Sequence, residues 1–183
     1  MGDVSAPLAA TQPKPRDRFE AVYHAELPYV LRTLRRLGVS EADAPDLAHD
    51  VFLVFYRRLA EYDRTRPLRA WLFGIAYRVV SNHLGRAHRQ AEIPADLNEL
   101  HTPDPRAASL ERQAARDLLL RALAAVDLEH RAVLVLHDLE ERAAPEVAAA
   151  LGIPLNTVYS RLRNGRQKVA AAARRLLAEV SDE

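Results

Sequence analysis

Apolar residues recur along this chain at intervals of three and four, and no stretch keeps the two-residue alternation of a half-buried strand. The pattern predicts an all-α protein. Phe19, Val22, Val30, Leu31, Leu34 and Leu37 mark a first helix, which Pro28 is expected to break or kink and Gly38 to close. Asp43 is placed to cap a second helix, with Pro45 tolerated in its first turn and Leu47, Val51, Val54, Phe55 and Leu59 as its buried stripe. After the loop Asp63-Arg-Thr-Arg-Pro-Leu-Arg69, a third helix carries Trp71, Leu72, Ile75, Ala76, Val79, Val80 and Leu84. Gln90 to Pro105 holds three prolines and four acids without sustained periodicity, which reads as an extended linker. Helices resume at about 107–126, 128–140, 145–151 and 155–177.

The last two of these form the densest signal in the chain. Between Glu146 and Lys168 an apolar helix, a Gly turn and an Arg-rich helix follow one another, as in a helix-turn-helix. Val147, Ala148 and Leu151 keep a helical spacing, Gly152 supplies a left-handed turn, Ile153 returns to the core and Pro154 fixes the entry to the next helix. Val158 and Leu162 face inward four residues apart. Asn156, Thr157, Tyr159, Ser160, Arg161 and Arg163 are left for the outer and flanking faces, where such a helix can enter a DNA major groove. The same pattern also fits an amphipathic helix pair with a solvated basic face. Asn164-Gly165 is expected to bend or fray this helix, because glycine inside a helix costs about 1 kcal/mol relative to alanine.

Charge sharpens the picture. The net charge is only +1, but it is segregated. No acid occurs from Arg64 to Ala91, a stretch with Arg64, Arg66, Arg69, Arg78, Arg86 and Arg89, and none from Val147 to Ala178, where Arg161, Arg163, Arg166, Lys168, Arg174 and Arg175 lie. Acids gather instead in 41–50 and 92–111. Two separated cationic surfaces imply two contacts with a polyanion, weakened steeply by salt. Composition closes other routes. There is no cysteine, hence no disulfide, thiolate metal site or cysteine nucleophile, and no membrane-length apolar run. Residues 1–16, with three prolines by position 15, read as a flexible arm without a signal peptide, which leads us to expect a soluble cytoplasmic protein. The 49% hydrophobic content can supply two small cores: 17–89, then a linker at 90–106, then 107–178 with a short tail at 179–183.

Three segments together resemble a known family. Asp46-Leu-Ala-His-Asp-Val-Phe-Leu53 is similar to region 2.2 of bacterial RNA polymerase sigma factors, specifically the two-domain extracytoplasmic function group of the sigma-70 superfamily. Trp71-Leu-Phe-Gly-Ile-Ala76 with Arg78, Asn82 and the basic run to Arg89 is similar to regions 2.3 and 2.4, and Glu146-Val-Ala148, Leu151-Gly-Ile153, Thr157-Val158 and Ser160-Arg-Leu162 are similar to region 4.2. The chain departs from the group in having His49-Asp50 for Gln-Glu, Arg78 and Asn82 for the frequent Asn and Asp, and Asn164-Gly165 for Arg-Ala.

The resemblance implies a sigma factor that binds core RNA polymerase and reads the −10 and −35 promoter elements. Asp46, His49, Asp50 and an exposed Phe52 and Leu53 would dock on the clamp of the largest subunit, with a further contact on the flap. Tyr62, Arg64, Arg66, Arg69, Arg78, Asn82, Arg86 and Arg89 would bind and open the −10 element, where stacking is worth about 1–3 kcal/mol per base. Trp71 reads as core rather than as a base platform. Asn156, Thr157, Tyr159, Ser160, Arg161 and Arg163 would read the −35 element, with Arg166 and Lys168 on flanking phosphate. Glu92, Asp96, Glu99 and Asp104 of the linker would thread the polymerase channel, or serve as a plain tether. An anti-sigma factor would hold the otherwise monomeric protein inactive, in some cases at the membrane without insertion.

No enzymatic constellation stands against this. The seven histidines include no pair three or four apart, and there is no Gly-rich phosphate loop or nucleophile elbow, so neither a metal, a cofactor nor a catalytic residue is expected. Two other readings remain: a conventional dimeric helix-turn-helix regulator, and a polymerase-binding adaptor that reads no promoter.

Overall fold

The computed structural model describes residues 15–90 and 110–181, all described elements being helical. Helix α1 is Pro15–Arg36, α2 Ala44–Arg57 and α3 Leu68–Gln90, with a 3-10 turn at Leu59–Glu61. They pack on one another through Leu34, Leu37, Val51, Phe52, Phe55, Leu72, Phe73, Ile75 and Val80, each no more than 1% exposed. Burying a side chain of this size contributes about 1.5–3 kcal/mol. The second group is α4 (Leu110–Ala124), α5 (Leu128–Leu134), a π turn at Val135–Leu139, α6 (Ala144–Leu151) and α7 (Leu155–Ser181). Its core is Leu123, Val126, the run Ala132 to Leu136, Val147, Leu151, Val158 and Leu162.

Several local expectations are revised by packing. Pro28 does not end α1, which runs through it, because the apolar residues on both sides of Pro28 lie against the same α2–α3 core. Gly38 does close that helix: at φ 91° it lets Val39 N–H reach the Leu34 carbonyl (3.0 Å) and its own N–H reach Arg35 (3.0 Å), a Schellman ending. Asp43 precedes α2 but makes no side-chain cap, since the Ser40 hydroxyl donates to its carboxylate at 2.7 Å. Along α2 the buried stripe is Leu47, Ala48, Val51, Phe52 and Phe55, whereas Val54 and Leu59 are half-buried. Phe52 is therefore not an exposed docking residue. One turn from Ala48 and beside Val51, it lies on the inner face, with Tyr23 edge-on at 4.7 Å and Phe55 at 6.4 Å between ring centres.

Gly165 neither bends nor frays α7, which is continuous and buries this glycine against α5; a methyl there would lie 3.0 Å from Leu134 Cδ1. The lost helix propensity is the cost of that close approach. Two residues beyond the π turn, Glu141 has a φ of 55°, the left-handed conformation uncommon for a side-chain-bearing residue, and α6 starts three residues on.

The two groups also touch each other, α3 against α6 and α1 against α4. Residues 1–14 of the expected arm, most of the linker with Glu92, Asp96, Glu99 and Asp104, and the end of the tail lie outside the described residues, while residues 15 and 16 of that arm open α1.

Candidate functional site

The helix-turn-helix is built by α6, the turn and α7. The Ala143 N–H donates to the Glu146 carboxylate at 3.1 Å and holds the first turn of α6. Gly152 ends α6 at φ 69°, its N–H on the Ala148 carbonyl at 2.9 Å, and α7 starts at Leu155. Val158 and Leu162 are buried beneath α7, while Asn156, Tyr159, Ser160 and Arg163 share its exposed side and Thr157 is half-buried between. Ser160 donates its hydroxyl to the Thr157 carbonyl at 3.0 Å, which fixes the hydroxyl close to the helix.

The cations of α7 divide into two sets. Arg161 turns back to pair with Glu129, Arg166 is doubly bonded to Asp138 at 2.6 and 2.9 Å, and Lys168 pairs with Asp127. Among the described residues no ion pair is formed by Arg163, nor by Arg174 and Arg175 further along α7, so in the recognition turns the guanidinium of Arg163 is unoccupied by a carboxylate. Hydrogen bonding by Lys168 holds the Asp127 carboxyl below the usual range, and Arg166 does the same for Asp138.

The loop before α3 is internally braced. Asp63 accepts from the Thr65 N–H (2.9 Å) and hydroxyl (2.7 Å), which holds its carboxyl below the usual range, and the Tyr62 hydroxyl donates to the Arg66 carbonyl at 2.8 Å. The Tyr62 ring stacks on Trp71 at 4.9 Å and 21°, leaving Trp71 half-buried. Arg64 and Arg66 are exposed on the loop, Arg66 within 3.6 Å of Asp63. Arg69 points elsewhere: it bonds Glu26 of α1 at 2.8 Å and lies 5.1 Å over the Tyr29 ring. Arg78 donates to the Gly74 carbonyl at 3.3 Å, and Asn82 and Arg86 are exposed further along α3. Arg89 is in the last turn of α3, with its side chain outside the described residues.

Arg66, Trp71 and Arg78 meet Arg58 around a cavity of about 430 Å3, closed on its other side by Pro145, Glu146, Ala149 and Ala150 of α6. Arg58 escaped the sequence reading because it precedes the acid-free block; its nearness to a basic loop was the available signal. On the opposite side of α2, Asp46, His49 and Asp50 are exposed. Next to them a groove of about 590 Å3 is lined by Phe19, Tyr23, His49, Leu53, Tyr56 and one edge of Phe52. Leu53 is 38% and Tyr56 50% exposed, so the apolar surface here comes from these two.

Comparison with known proteins decides the family. Sigma-70 region 2 matches residues 22–90 and Sigma-70, region 4 matches 116–169. The RNA polymerase sigma factor CnrH of Cupriavidus metallidurans is 32% identical over 75% of this chain and 76% of its own. The chain belongs to the extracytoplasmic function sigma factors of the sigma-70 family. The group's SigE of Mycolicibacterium smegmatis is 30% identical over 80% of this chain and 57% of its own length. In fold it is similar to the sigma factor RpoE of Bartonella quintana, solved with the anti-sigma factor NepR: TM-score 0.69, 18% identity, 86% of this chain and 98% of that one.

As a sigma factor, the protein directs RNA polymerase to promoters. Two carboxylates outside the helix-turn-helix, Asp127 and Asp138, are tied to it by cations of α7. Asp127 and Asp138 have lower pKa values folded than unfolded, so their contribution is complete above the ordinary carboxylate range and is lost as pH falls through the depressed folded values. Thermal melts of the sigma factor between pH 7 and 3 are expected to show Tm falling below about pH 4, with a shallower acid slope in Asp138→Asn. An identical slope in that variant would assign the acid loss to other groups.

Proposed function

We propose that the sigma factor divides its work between the two helical groups. Residues 17–89 bind core polymerase and the −10 element, 107–178 read the −35 element, and 90–106 connect them. The observation that carries the reading is the sided α7, with Val158 and Leu162 buried and Asn156, Tyr159, Ser160 and Arg163 presented together on the exposed side. An Arg on such a face reads guanine bidentately, so Arg163 is the principal −35 reader. Arg161 supports it through Glu129, and Arg166 and Lys168 exchange their carboxylates for phosphates when DNA arrives.

In the −10 part, the exposed Arg64 and Arg66 take the phosphates of the opened strand, and the Tyr62–Trp71 stack offers a ring to an unpaired base. Arg78, Asn82, Arg86 and Arg89 continue the contact along α3. Arg69 acts as a brace between α3 and α1. Asp46, His49 and Asp50 with Leu53 are the docking edge for the polymerase clamp, acidic and apolar as a basic helical partner requires. Catalysis belongs to the polymerase, the flap takes the second group, and the factor works in the cytoplasm as a monomer. An anti-sigma factor is its natural antagonist, a reading supported by the complex in which the similar RpoE was solved.

The test is promoter-specific transcription by purified core polymerase on fragments of the protein's own genome. Specific transcripts are expected only when the chain is added, and Asp46→Ala with Asp50→Ala is expected to remove them by loss of core binding. No transcripts, with a dimeric shift of duplex DNA by the chain alone, would replace this reading by a conventional regulator.

A further inference from the structure

The cations along α7 differ in what holds them. Arg161 and Arg166 are taken by carboxylates of α5 and of the π turn, and Lys168 by Asp127 just before α5. Further on, Arg174 and Arg175 are exposed and form no ion pair among the described residues. The next acid along α7, Glu179, is paired with Arg121 of α4 at 4.0 Å.

Helix geometry puts this pair in line with the reading residues. At about 3.6 residues per turn, Arg174 lies five turns from Asn156 and close to three turns from Arg163, on the same exposed side. Gln167 and Ala170, both exposed, lie between on that side, so neither an acid nor a bulky apolar group interrupts it. Arg175 stands about 100° further round, on the edge that carries Lys168.

The rise of about 1.5 Å per residue puts Arg174 roughly 16 Å beyond Arg163 along the helix axis. A major groove is about 12 Å wide, so a straight helix with Arg163 at the base edges carries Arg174 out to the phosphates that border the groove. A phosphate arriving there meets two guanidiniums with no carboxylate to displace. Arg166, by contrast, must first release both of its bonds to Asp138.

Resting on the −35 reading above, we propose that Arg174 and Arg175 form a phosphate anchor, a sequence-independent site for the DNA backbone bordering the −35 element. Contacts of this kind position a protein on the duplex and carry no sequence information. The anchor fixes how α7 sits in the groove and leaves the choice of sequence to Arg163 and its neighbours.

The test is binding of a fluorescein-labelled promoter fragment by holoenzyme reconstituted from core polymerase and the full chain, between about 50 and 200 mM salt. Arg174→Gln with Arg175→Gln is expected to weaken binding about tenfold. It is also expected to flatten the slope of log K against log salt by about 1.8, roughly 0.9 for each phosphate lost. Arg174→Lys with Arg175→Lys is expected to restore both, since a lysine binds phosphate as a point charge. The loss is expected to be the same factor on the native promoter and on one with a substituted −35 element. An unchanged slope in the glutamine variant, or a loss confined to one −35 sequence, would overturn the anchor. So would weaker binding of that variant to core polymerase without DNA, which would give the pair to an acidic protein surface. If the unsubstituted holoenzyme binds both −35 elements alike, the −35 reading fails, while the salt slope still reports on the anchor.

Discussion

Tyr159→Ala with Arg163→Ala is expected to lower promoter-specific transcription by one to two orders of magnitude while leaving the fold intact. Both side chains are exposed on α7, Tyr159 at 53%, and neither is tied into the protein by an ion pair among the described residues. Removing them costs no internal bond, so Tm should stay within the roughly 0.5 kcal/mol typical of surface changes. A bidentate Arg–guanine contact carries about 1–3 kcal/mol of discrimination, or roughly 5- to 150-fold. Arg161→Ala should behave differently, lowering Tm slightly through the lost Glu129 pair as well as weakening DNA. Run-off transcription and thermal melts on the same preparations separate the two effects. If the double variant transcribes normally, α7 is not the −35 reader.

Phe52→Ala and Leu53→Ala, adjacent in sequence, are expected to fail in different assays. Phe52 is 1% exposed and contacts Phe19, Tyr23 and Phe55, so truncation leaves a cavity and costs about 3–5 kcal/mol. For a protein of this size that is a fall in Tm of roughly 10 °C. Leu53 is 38% exposed on the rim of the acidic edge, so its truncation should leave Tm nearly unchanged and weaken binding to core polymerase several-fold. Calorimetry and a core-binding titration distinguish them. Equal stability losses would mean that Leu53 is part of the core and that the docking edge is formed by the charged residues alone.

Helix identity was legible because it rests on short-range chemistry. The apolar intervals, the Gly38 and Gly152 stops and the Val158–Leu162 pair each act within one or two turns, and their consequences match the described elements closely. Phe52 was misread because periodicity alone leaves a two-residue-wide stripe ambiguous at its edge; the aromatic rings arriving from α1 settle which neighbour turns inward. Gly165 was misread for a related reason. Propensity counts the cost of a glycine within its own helix, whereas the gain comes from Leu134, thirty-one positions earlier in the chain.

The sequence by itself determined the all-helical class, the helix-turn-helix and the presence of two basic stretches, since these follow from residue type and local spacing. Which cations remain available to a polyanion was decided by tertiary structure. Arg161, Arg166 and Lys168 meet carboxylates 28 to 41 positions away, and only folding brings such charges within reach. The packing of the two groups is more distant still, with Arg131 and the Leu37 carbonyl 94 positions apart. A buried guanidinium is stable there only because two helix ends converge on it, and that convergence is a property of the assembled chain rather than of any segment.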